Sequence, residues 1–220
     1  MAASTILTSF QIEVLNAIVK DPNFVKRFYL TGGTALSEFY LHHRLSEDLD
    51  FFSVEEFSPY LVQALIKKIT KILKITDVEY RTQLGLHMFI LKRRGDVLKV
   101  DFNYYPFPRI EKKLKYLKLE IDSMRDIAVN KLQTIATNPR TRDFIDLYFI
   151  IQKAGWTVQE LRKDARNKFD WYVDSIELGS KLMKVLEQED YPRMLIPFGF
   201  KECLSFWLKE AGKLKKEILK

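Results

Sequence analysis

The sequence predicts an α+β fold in which a mixed α/β unit is followed by a helical unit. Two observations carry this prediction. Up to about Leu119, short strand-like runs alternate with amphipathic helices, whereas beyond it the apolar residues recur with helical spacing. We therefore expect two domains, an α/β core over residues 1–119 and a helical domain over residues 120–220.

The individual elements follow from apolar periodicity and from turn residues. In the first unit we expect helices over 9–19, 33–42 and 59–73 and strands over 28–31, 49–53, 77–82, 86–92 and 98–105. The last three strands should be antiparallel neighbours, because their connections are too short for crossovers. In the second unit we expect helices over 123–137, 140–152, 158–168, 172–188 and 200–219.

The composition excludes several classes of protein. With 47% hydrophobic residues in 220 positions, the chain can bury a core and is not disordered as a whole. The single cysteine, Cys203, allows no intramolecular disulfide and, with three scattered histidines, no zinc site of the usual spacing. No apolar run approaches the roughly 20 residues needed to span a bilayer, and there is no cationic leader, so we expect a soluble cytoplasmic protein without membrane contacts.

The net charge of +7 suits a polyanionic partner such as nucleic acid or a nucleoside triphosphate. The basic residues at 92–94 and in the tail over 213–220 are candidates for contacts with an RNA backbone. Solvated helix faces produce a similar excess of lysine and arginine, so charge alone does not decide between these interpretations.

Gly32 and Gly33 lie between a predicted strand and a predicted helix. Two glycines here allow a close approach of the backbone, and the first N–H groups of a helix favour an anion such as phosphate. The alternative is that the glycines serve only the geometry of the turn. The segment lacks the glycine spacing of the dinucleotide fingerprint and the Gly-Lys-Ser/Thr ending of the P-loop.

Asp48 and Asp50 alternate along a predicted strand and therefore point to the same face, whereas Leu49 and Phe51 point to the other. Two carboxylates on one face repel each other unless a cation or solvent screens them. Mg²⁺, which binds a couple of carboxylates together with phosphate oxygens, would resolve the repulsion. The alternative is an exposed strand end with solvated aspartates.

Asp101 lies on the polar face of the strand over 98–105. If this strand is next to the strand of Asp48 and Asp50, three carboxylates converge on one site, which is enough for a two-metal centre. Periodicity does not establish that adjacency.

The helical half contains a possible cationic partner, Lys131, which lies within the apolar stripe of its helix. Such a lysine either extends its ammonium to solvent or faces a cleft, where it could contact triphosphate oxygens. Asp143 and Asp146 share one flank of the next helix, and we expect them to pair with a nearby basic side chain: Arg140, Arg142 or Lys131.

Taken together, these residues form an ordered set of motifs: Gly32-Gly33-Thr34-Ala35-Leu36, then Arg44-x-Ser46-x-Asp48-x-Asp50-Phe51-Phe52, then Asp101, Lys131, and Arg142-Asp143-Phe144-x-Asp146-Leu147. The set resembles the AbiEii/AbiGii family of nucleotidyltransferase-like toxins from type IV toxin–antitoxin and abortive-infection systems, in the DNA polymerase β-like superfamily. The resemblance covers about residues 28–151. It implies a minimal nucleotidyltransferase core, a mixed β-sheet with flanking helices, followed by a helical region that completes the nucleotide cleft and the substrate surface.

The resemblance also implies roles for individual residues. Asp48, Asp50 and Asp101 would be catalytic and would hold Mg²⁺, with Asp101 helping to deprotonate the attacking hydroxyl. The remaining positions would bind the nucleotide: Gly32, Gly33, Thr34, Arg44, Ser46, Lys131 and Asp143. Thr34 stands where the superfamily often has serine and keeps the hydroxyl.

The implied activity is Mg²⁺-dependent transfer of a nucleoside monophosphate from a nucleoside triphosphate to an acceptor hydroxyl. The implied protein is the toxin of a toxin–antitoxin pair acting on RNA, with tRNA-like RNA as the acceptor and a cognate antitoxin as partner. Two alternatives stay open: the same chemistry on a protein or an aminoglycoside-like small molecule, and a catalytically silent module that binds nucleotide or a partner protein. Sequence alone leaves the nucleotide and the oligomeric state open.

Overall fold

The computed structural model describes residues 5–111 and 114–218, with side chains up to Leu214. The chain divides into two compact units. The first contains the described residues up to Pro108 together with 114–123, and the second contains Arg109–Glu111 and the chain from Met124 onward. The backbone thus enters the second unit for three residues, returns to the first, and leaves it again after Ser123.

The first unit is built on a mixed sheet. Among the described residues its strands are β1 Tyr29–Thr31, β2 Asp48–Ser53, β3 Asp77–Gln83, β4 Leu86–Arg93, β5 Asp96–Tyr104, β6 Leu114–Tyr116 and β7 Leu119–Ile121. Their order in the sheet is β3-β4-β5-β2-β1-β7-β6. Strand β2 is parallel to β5 and β1 is parallel to β7, whereas the other pairs are antiparallel. The mixed sheet and the antiparallel run β3-β4-β5 confirm the predicted α+β core.

The helices of the first unit are α1 Ser9–Val19, α2 Pro22–Val25, α3 Gly32–Leu36 and α4 Pro59–Leu73, with a turn of π-helix over Ser37–Leu41 after α3. The prediction of one regular helix over 33–42 was therefore only partly right. The π-helical turn ends at His42, whose backbone is left-handed with φ of 51°. Single π-helical turns are frequent near functional sites, because they change the direction of the chain over a few residues.

The second unit is helical, as predicted. Its helices are α5 Met124–Thr137, α6 Thr141–Ala154, α7 Val158–Phe169, α8 Ser175–Met183 and α9 Phe200–Ile218, with a 3₁₀ turn over Lys184–Glu187. The break between the units falls after Ser123, later than the change of pattern near Leu119, because 114–121 forms the hairpin β6–β7 that the sequence analysis missed. Within the described ranges, no helix combines the length and hydropathy that crossing a bilayer requires.

Aromatic side chains fill the core of the first unit on one face of the sheet. The fully buried rings of Phe51 on β2 and Phe102 on β5 stack with centroids 5.5 Å apart. Phe24 packs edge-on against both rings and Phe28 packs against Phe102, and the rings of Phe24 and Phe28 stack 4.4 Å apart. Because side chains alternate along a strand, this packing directs the neighbouring residues of β2 and β5 to the opposite face.

The core of the second unit is organised around Trp207 on α9. The indole is fully buried, donates a hydrogen bond of 3.1 Å to the carbonyl of Phe144 and meets the Phe144 ring edge-on. Cys203 lies one turn earlier and is also buried, and burial raises the pKa of its thiol to about 12. A thiol that stays protonated is a packing residue rather than a nucleophile.

A buried ion pair ties together parts of the second unit that are distant in sequence. The Lys168 ammonium lies 2.8 Å from Asp126 Oδ1, and both side chains are almost completely buried. Asp126 also accepts hydrogen bonds from the backbone N–H groups of Ile110 and Glu111, at 2.9 and 3.2 Å. One carboxylate thus connects α5, α7 and the short segment Arg109–Glu111.

We predict that Lys168→Met lowers the free energy of unfolding by about 3–5 kcal/mol, because it removes the buried ammonium that lies against the Asp126 carboxylate. Urea unfolding followed by circular dichroism measures the change. The matched control is Lys163→Met on the same helix, where the lysine is exposed and the change should stay within about 0.5 kcal/mol. Equal losses in the two variants would show that the buried pair does not contribute to stability.

Candidate active site

The parallel pairing of β2 with β5 brings the predicted acidic residues together. Asp50 and Asp101 are directly paired in the register, and Asp48 lies two residues earlier on β2, opposite Lys99. Side chains at these positions share the face opposite Phe51 and Phe102. The adjacency that periodicity left open is therefore present, and the carboxyl groups of three aspartates lie on one face of two neighbouring strands.

The Lys99 ammonium lies between two of these carboxylates. It is 2.6 Å from Asp101 Oδ2 and 3.3 Å from Asp48 Oδ2. Burial acts to lower the pKa of Lys99, but the hydrogen bond to Asp101 and the negative charges around it outweigh burial and raise that pKa. Lys99 does not stand out in the sequence, because a lysine on the polar face of a strand resembles a solvated residue.

Asp101 is the most enclosed of the three aspartates, with 5% of its surface exposed. Burial raises the pKa of its carboxyl group above the ordinary range, although Lys99 acts in the opposite direction. Its second oxygen, Oδ1, is buried and accepts no hydrogen bond from any described residue. A buried carboxylate oxygen without a donor is unusual and suits a position that contacts a cation or water.

The arrangement fits a hard divalent cation that is completed by substrate. Carboxylate oxygens are the ligands such cations prefer, and Mg²⁺ is commonly held by one or two carboxylates together with phosphate oxygens. Over residues 5–111 and 114–214, no three His, Cys, Asp or Glu side chains already converge closely enough to enclose a metal by themselves. The aspartates therefore fit a site shared with nucleotide phosphates better than a preformed metal cage.

The glycine turn packs directly against the acidic residues. Gly32 has φ of +74°, and a Cβ atom built there would lie 2.3 Å from Asp50 Oδ2. A Cβ atom on Gly33 would lie 2.5 Å from Arg44 Nη2 and 3.0 Å from Ser46 Oγ. A side chain on Gly32 would require the Asp50 carboxylate to move, and one on Gly33 would require the Arg44 guanidinium to move. Gly32 is also favoured by its left-handed backbone.

Hydroxyl groups on both sides of the glycines fix the turn to the sheet. Thr34 donates a hydrogen bond to the backbone carbonyl of Asp48, and Thr31 donates one of 2.7 Å to Asp122 Oδ2. Thr34 was predicted to bind nucleotide, but its hydroxyl is engaged here in holding the start of β2. Asp122 is fully buried and was missed because it follows β7, a strand too short to predict.

The segment before β2 is also held in place. Arg44 is buried, and its Nη1 donates a hydrogen bond of 2.8 Å to the carbonyl of Leu45. The carbonyl of Ser46 accepts a hydrogen bond of 2.9 Å from Gln11 Nε2 on α1. The glycine turn, Arg44, Ser46 and the aspartates of β2 thus form one packed group within the first unit.

Lys131 and Asp143 lie together in the second unit. The Lys131 ammonium is 2.7 Å from Asp143 Oδ1 and 2.8 Å from Asp146 Oδ2, and Arg140 Nε is 2.8 Å from Asp143 Oδ2. This confirms the predicted pairing of the two aspartates with nearby basic side chains. Burial acts to raise the pKa of Asp143, but the charges of Lys131 and Arg140 outweigh it and keep that pKa low.

Two of the basic residues considered for RNA binding are already paired. Lys92 forms ion pairs with Asp77 and Glu79, and Arg93 lies 2.6 Å from Glu13 with its guanidinium over the Phe10 ring. Strand β3 and helix α1 supply these carboxylates, so Lys92 and Arg93 are paired within the first unit, and contacts of the cluster at 92–94 with RNA stay a prediction. The side chains of the basic tail after Leu214 lie outside the described residues.

Sequence comparison identifies one family along most of the chain. The family described as nucleotidyl transferase AbiEii toxin of the type IV toxin–antitoxin system matches residues 13–207. An uncharacterised protein of Aquifex aeolicus strain VF5 is 35% identical over 144 residues, which cover 64% of this chain and 66% of that relative. The match to this curated relative therefore spans just under two thirds of its length.

Two solved structures from Helicobacter pylori are similar in fold. The protein JHP933 is 19% identical with a TM-score of 0.58, and the alignment covers 96% of this chain and 94% of that one. A second structure, provisionally named a nucleotidyltransferase, is also 19% identical with a TM-score of 0.59 over 96% of this chain and 97% of that one. Because the family match includes both the glycine turn and all three site aspartates, the chain belongs to the AbiEii nucleotidyltransferase toxins of type IV toxin–antitoxin systems.

Proposed function

We propose that this nucleotidyltransferase moves a nucleoside monophosphate from a nucleoside triphosphate to an acceptor hydroxyl, with Asp48, Asp50 and Asp101 as its catalytic residues and Mg²⁺ as its cofactor. The observation that carries the proposal is the register of β2 and β5, which sets Asp101 beside Asp50. The glycine turn that packs against Asp50 supports it, because such a turn allows the close approach of a phosphate group.

The candidate site residues have the following proposed roles in this reaction. The three aspartates would hold the divalent cation, and a cation held there would supply positive charge that offsets the charge on the attacking and leaving oxygens. Gly32 and Gly33, which pack closely against Asp50 and Arg44, would border the triphosphate, while Arg44, Ser46 and Thr34 fix the turn and the start of β2. Lys131 and Asp143 stay predicted nucleotide contacts on the basis of the family motif.

The chemistry is a displacement at the α-phosphorus. The acceptor oxygen forms a bond to this phosphorus, the bond to the oxygen that leads to the β-phosphate breaks, and pyrophosphate leaves. Asp101 is proposed to accept the proton of the acceptor hydroxyl. Because no covalent bond to the protein is needed, positioning and electrostatic stabilisation carry most of the rate.

We further propose that the acceptor is RNA of a tRNA-like kind, that the protein acts as a toxin in the cytoplasm, and that a cognate antitoxin controls it. The net charge of +7 and the toxin–antitoxin family support this choice. Incubation of the purified protein with each labelled nucleoside triphosphate, Mg²⁺, and total RNA or proteome tests it. Label in RNA supports the proposal, whereas label only in protein or in an added aminoglycoside contradicts the RNA acceptor.

The aspartates give the first prediction for this reaction. Asp50→Asn and Asp101→Asn should each lower the rate of transfer by at least about a hundredfold, because a neutral amide no longer offsets cationic charge at the site. The control is Asp96→Asn at the exposed end of β5, which should keep the wild-type rate. Full activity in Asp48→Asn, Asp50→Asn and Asp101→Asn would reject the assignment of the catalytic residues.

The glycine turn gives the second prediction. Gly32→Ala should lower transfer by about a hundredfold, because the added Cβ must displace the Asp50 carboxylate. The matched control is Gly85→Ala between β3 and β4, where φ is +80° and nothing lies within 4 Å of the added Cβ. Both variants carry the left-handed backbone cost of about 1–2 kcal/mol, visible as a lower melting temperature. Equal activities at equal folded fractions would contradict a role for close packing against Asp50.

Lys99 gives the third prediction. Without Mg²⁺, Lys99→Met should lower the free energy of unfolding by about 1.5 kcal/mol, because Asp48 and Asp101 lose the cation between them. Since the same carboxylates are the proposed ligands, added Mg²⁺ or Mn²⁺ should raise the melting temperature of Lys99→Met more than that of the wild type. Lys99→Arg is the control that keeps the charge. Equal shifts by the metal in all three proteins would show that Lys99 and the metal do not share these carboxylates.

A further inference from the structure

The helical unit contains a cavity that the proposed reaction does not use. It has a volume of about 420 Å³, within the range of small-ligand sites, and lies between α5, α7, α8 and the loop that joins α7 to α8. Apolar contacts come from Leu132, Ala165, Val173 and Leu178. All of these elements belong to the second unit, so the cavity is a property of that unit alone.

One side of the cavity is cationic. Arg162, Lys163 and Arg166 line it, and the only acidic side chain among its lining residues is Glu160. Glu160 is engaged in the capping box at the start of α7, where it accepts hydrogen bonds from the backbone and the hydroxyl of Thr157. Neither Lys163 nor Arg166 has a carboxylate within ion-pair distance among the described residues. Two exposed cations are therefore available at this rim.

An aromatic ring lies at the same rim. Tyr172 is 62% exposed, which leaves much of its surface open. The Arg166 guanidinium lies 5.5 Å from the centroid of the Tyr172 ring, an arrangement typical of a cation–π contact. Arg162 holds the loop that carries the ring, because its Nη2 donates hydrogen bonds to the carbonyl of Val173 and to Ser175 Oγ, at 3.3 and 3.0 Å.

The wall formed by α5 contributes one polar side chain, that of Gln133, to the lining of the cavity. Its Oε1 is buried from solvent, so this oxygen is not offered to a ligand in the cavity, and recognition depends on the cations and the ring.

We propose that this cavity, which we call the α7 pocket, binds one nucleotide of a single-stranded nucleic acid. The base stacks on Tyr172, while Lys163 and Arg166 contact the adjacent phosphates. An aromatic platform beside unpaired cations is the combination with which proteins hold single strands, because a base must be unstacked from its neighbours to reach such a ring. A duplex, whose bases are stacked and paired, does not fit.

The α7 pocket would serve as an acceptor-binding site for the transferase, and that role rests on the proposed function. The binding itself does not, because it can be measured without a nucleoside triphosphate. Fluorescence anisotropy with short labelled oligonucleotides gives the affinity for single-stranded RNA, single-stranded DNA of the same sequence, and the RNA duplex. Both single strands carry bases and phosphates, so the comparison of RNA with DNA shows whether the pocket prefers one of them.

The variants separate stacking from charge. Tyr172→Leu should weaken binding of a single strand by at least about fivefold, whereas Tyr172→Phe should keep it, because only the ring is needed. The double variant Lys163→Gln with Arg166→Gln should reduce the slope of log affinity against log salt concentration by about 1.4, for two phosphate contacts on a single strand. The control is Lys201→Gln with Lys209→Gln on α9, which removes the same charge from exposed positions away from the pocket and should leave the slope unchanged.

Three results would overturn the inference: a Tyr172→Leu protein that binds as well as the wild type, equal binding of duplex and single strand, or equal salt slopes for the two double variants. If the wild-type protein binds single strands but transfers no nucleotide, the proposed reaction is rejected and the α7 pocket stands. If Tyr172→Leu and the Lys163/Arg166 double variant bind single strands and transfer nucleotide as the wild type does, the pocket is rejected and the reaction stands.

Discussion

The parallel pairing of β2 with β5 is the constraint on which the candidate site depends. Phe51 and Phe102 stack on the core face and set the register, and this register places Asp50 beside Asp101 on the other face. Because side chains alternate with a period of two, a slip of one residue would bury the carboxylates and expose the rings. The packing of the aromatic core therefore fixes the positions of the site aspartates, although the aromatic rings lie on the opposite face of the sheet.

The electrostatics of the site follow from the same pairing. Three carboxylates on adjacent strands repel each other, and Lys99 offsets part of that repulsion from within the strand that carries Asp101. The glycine turn adds a second restraint, because Gly32 already packs closely against the Asp50 carboxylate. The acidic group is thus held in position by packing and by an internal cation, and the metal site we propose uses residues that the fold has already arranged.

Much of this could be predicted from the sequence because the signals are local. Alternation within β2 and β5 gave the shared face of the aspartates, and short connections gave the antiparallel run β3-β4-β5. The hairpin β6–β7 was missed, since two strands of three residues in a lysine-rich segment show no period. Asp122 was missed with it. The partners of Lys92 and Arg93 depend on strand pairing and on α1, so these ion pairs could not be predicted from the local cluster of charge.

The path of the backbone between the two units has a practical consequence. The segment Arg109–Glu111 belongs to the second unit, where Asp126 accepts two of its N–H groups, and the chain then returns to the first unit for the hairpin. A fragment that starts at residue 124 would lack those donors, and one that stops at residue 123 would keep Arg109–Glu111 without the Asp126 carboxylate that accepts two of its N–H groups. Cleavage of one peptide bond between the two units would consequently not give two fragments that each contain a complete unit.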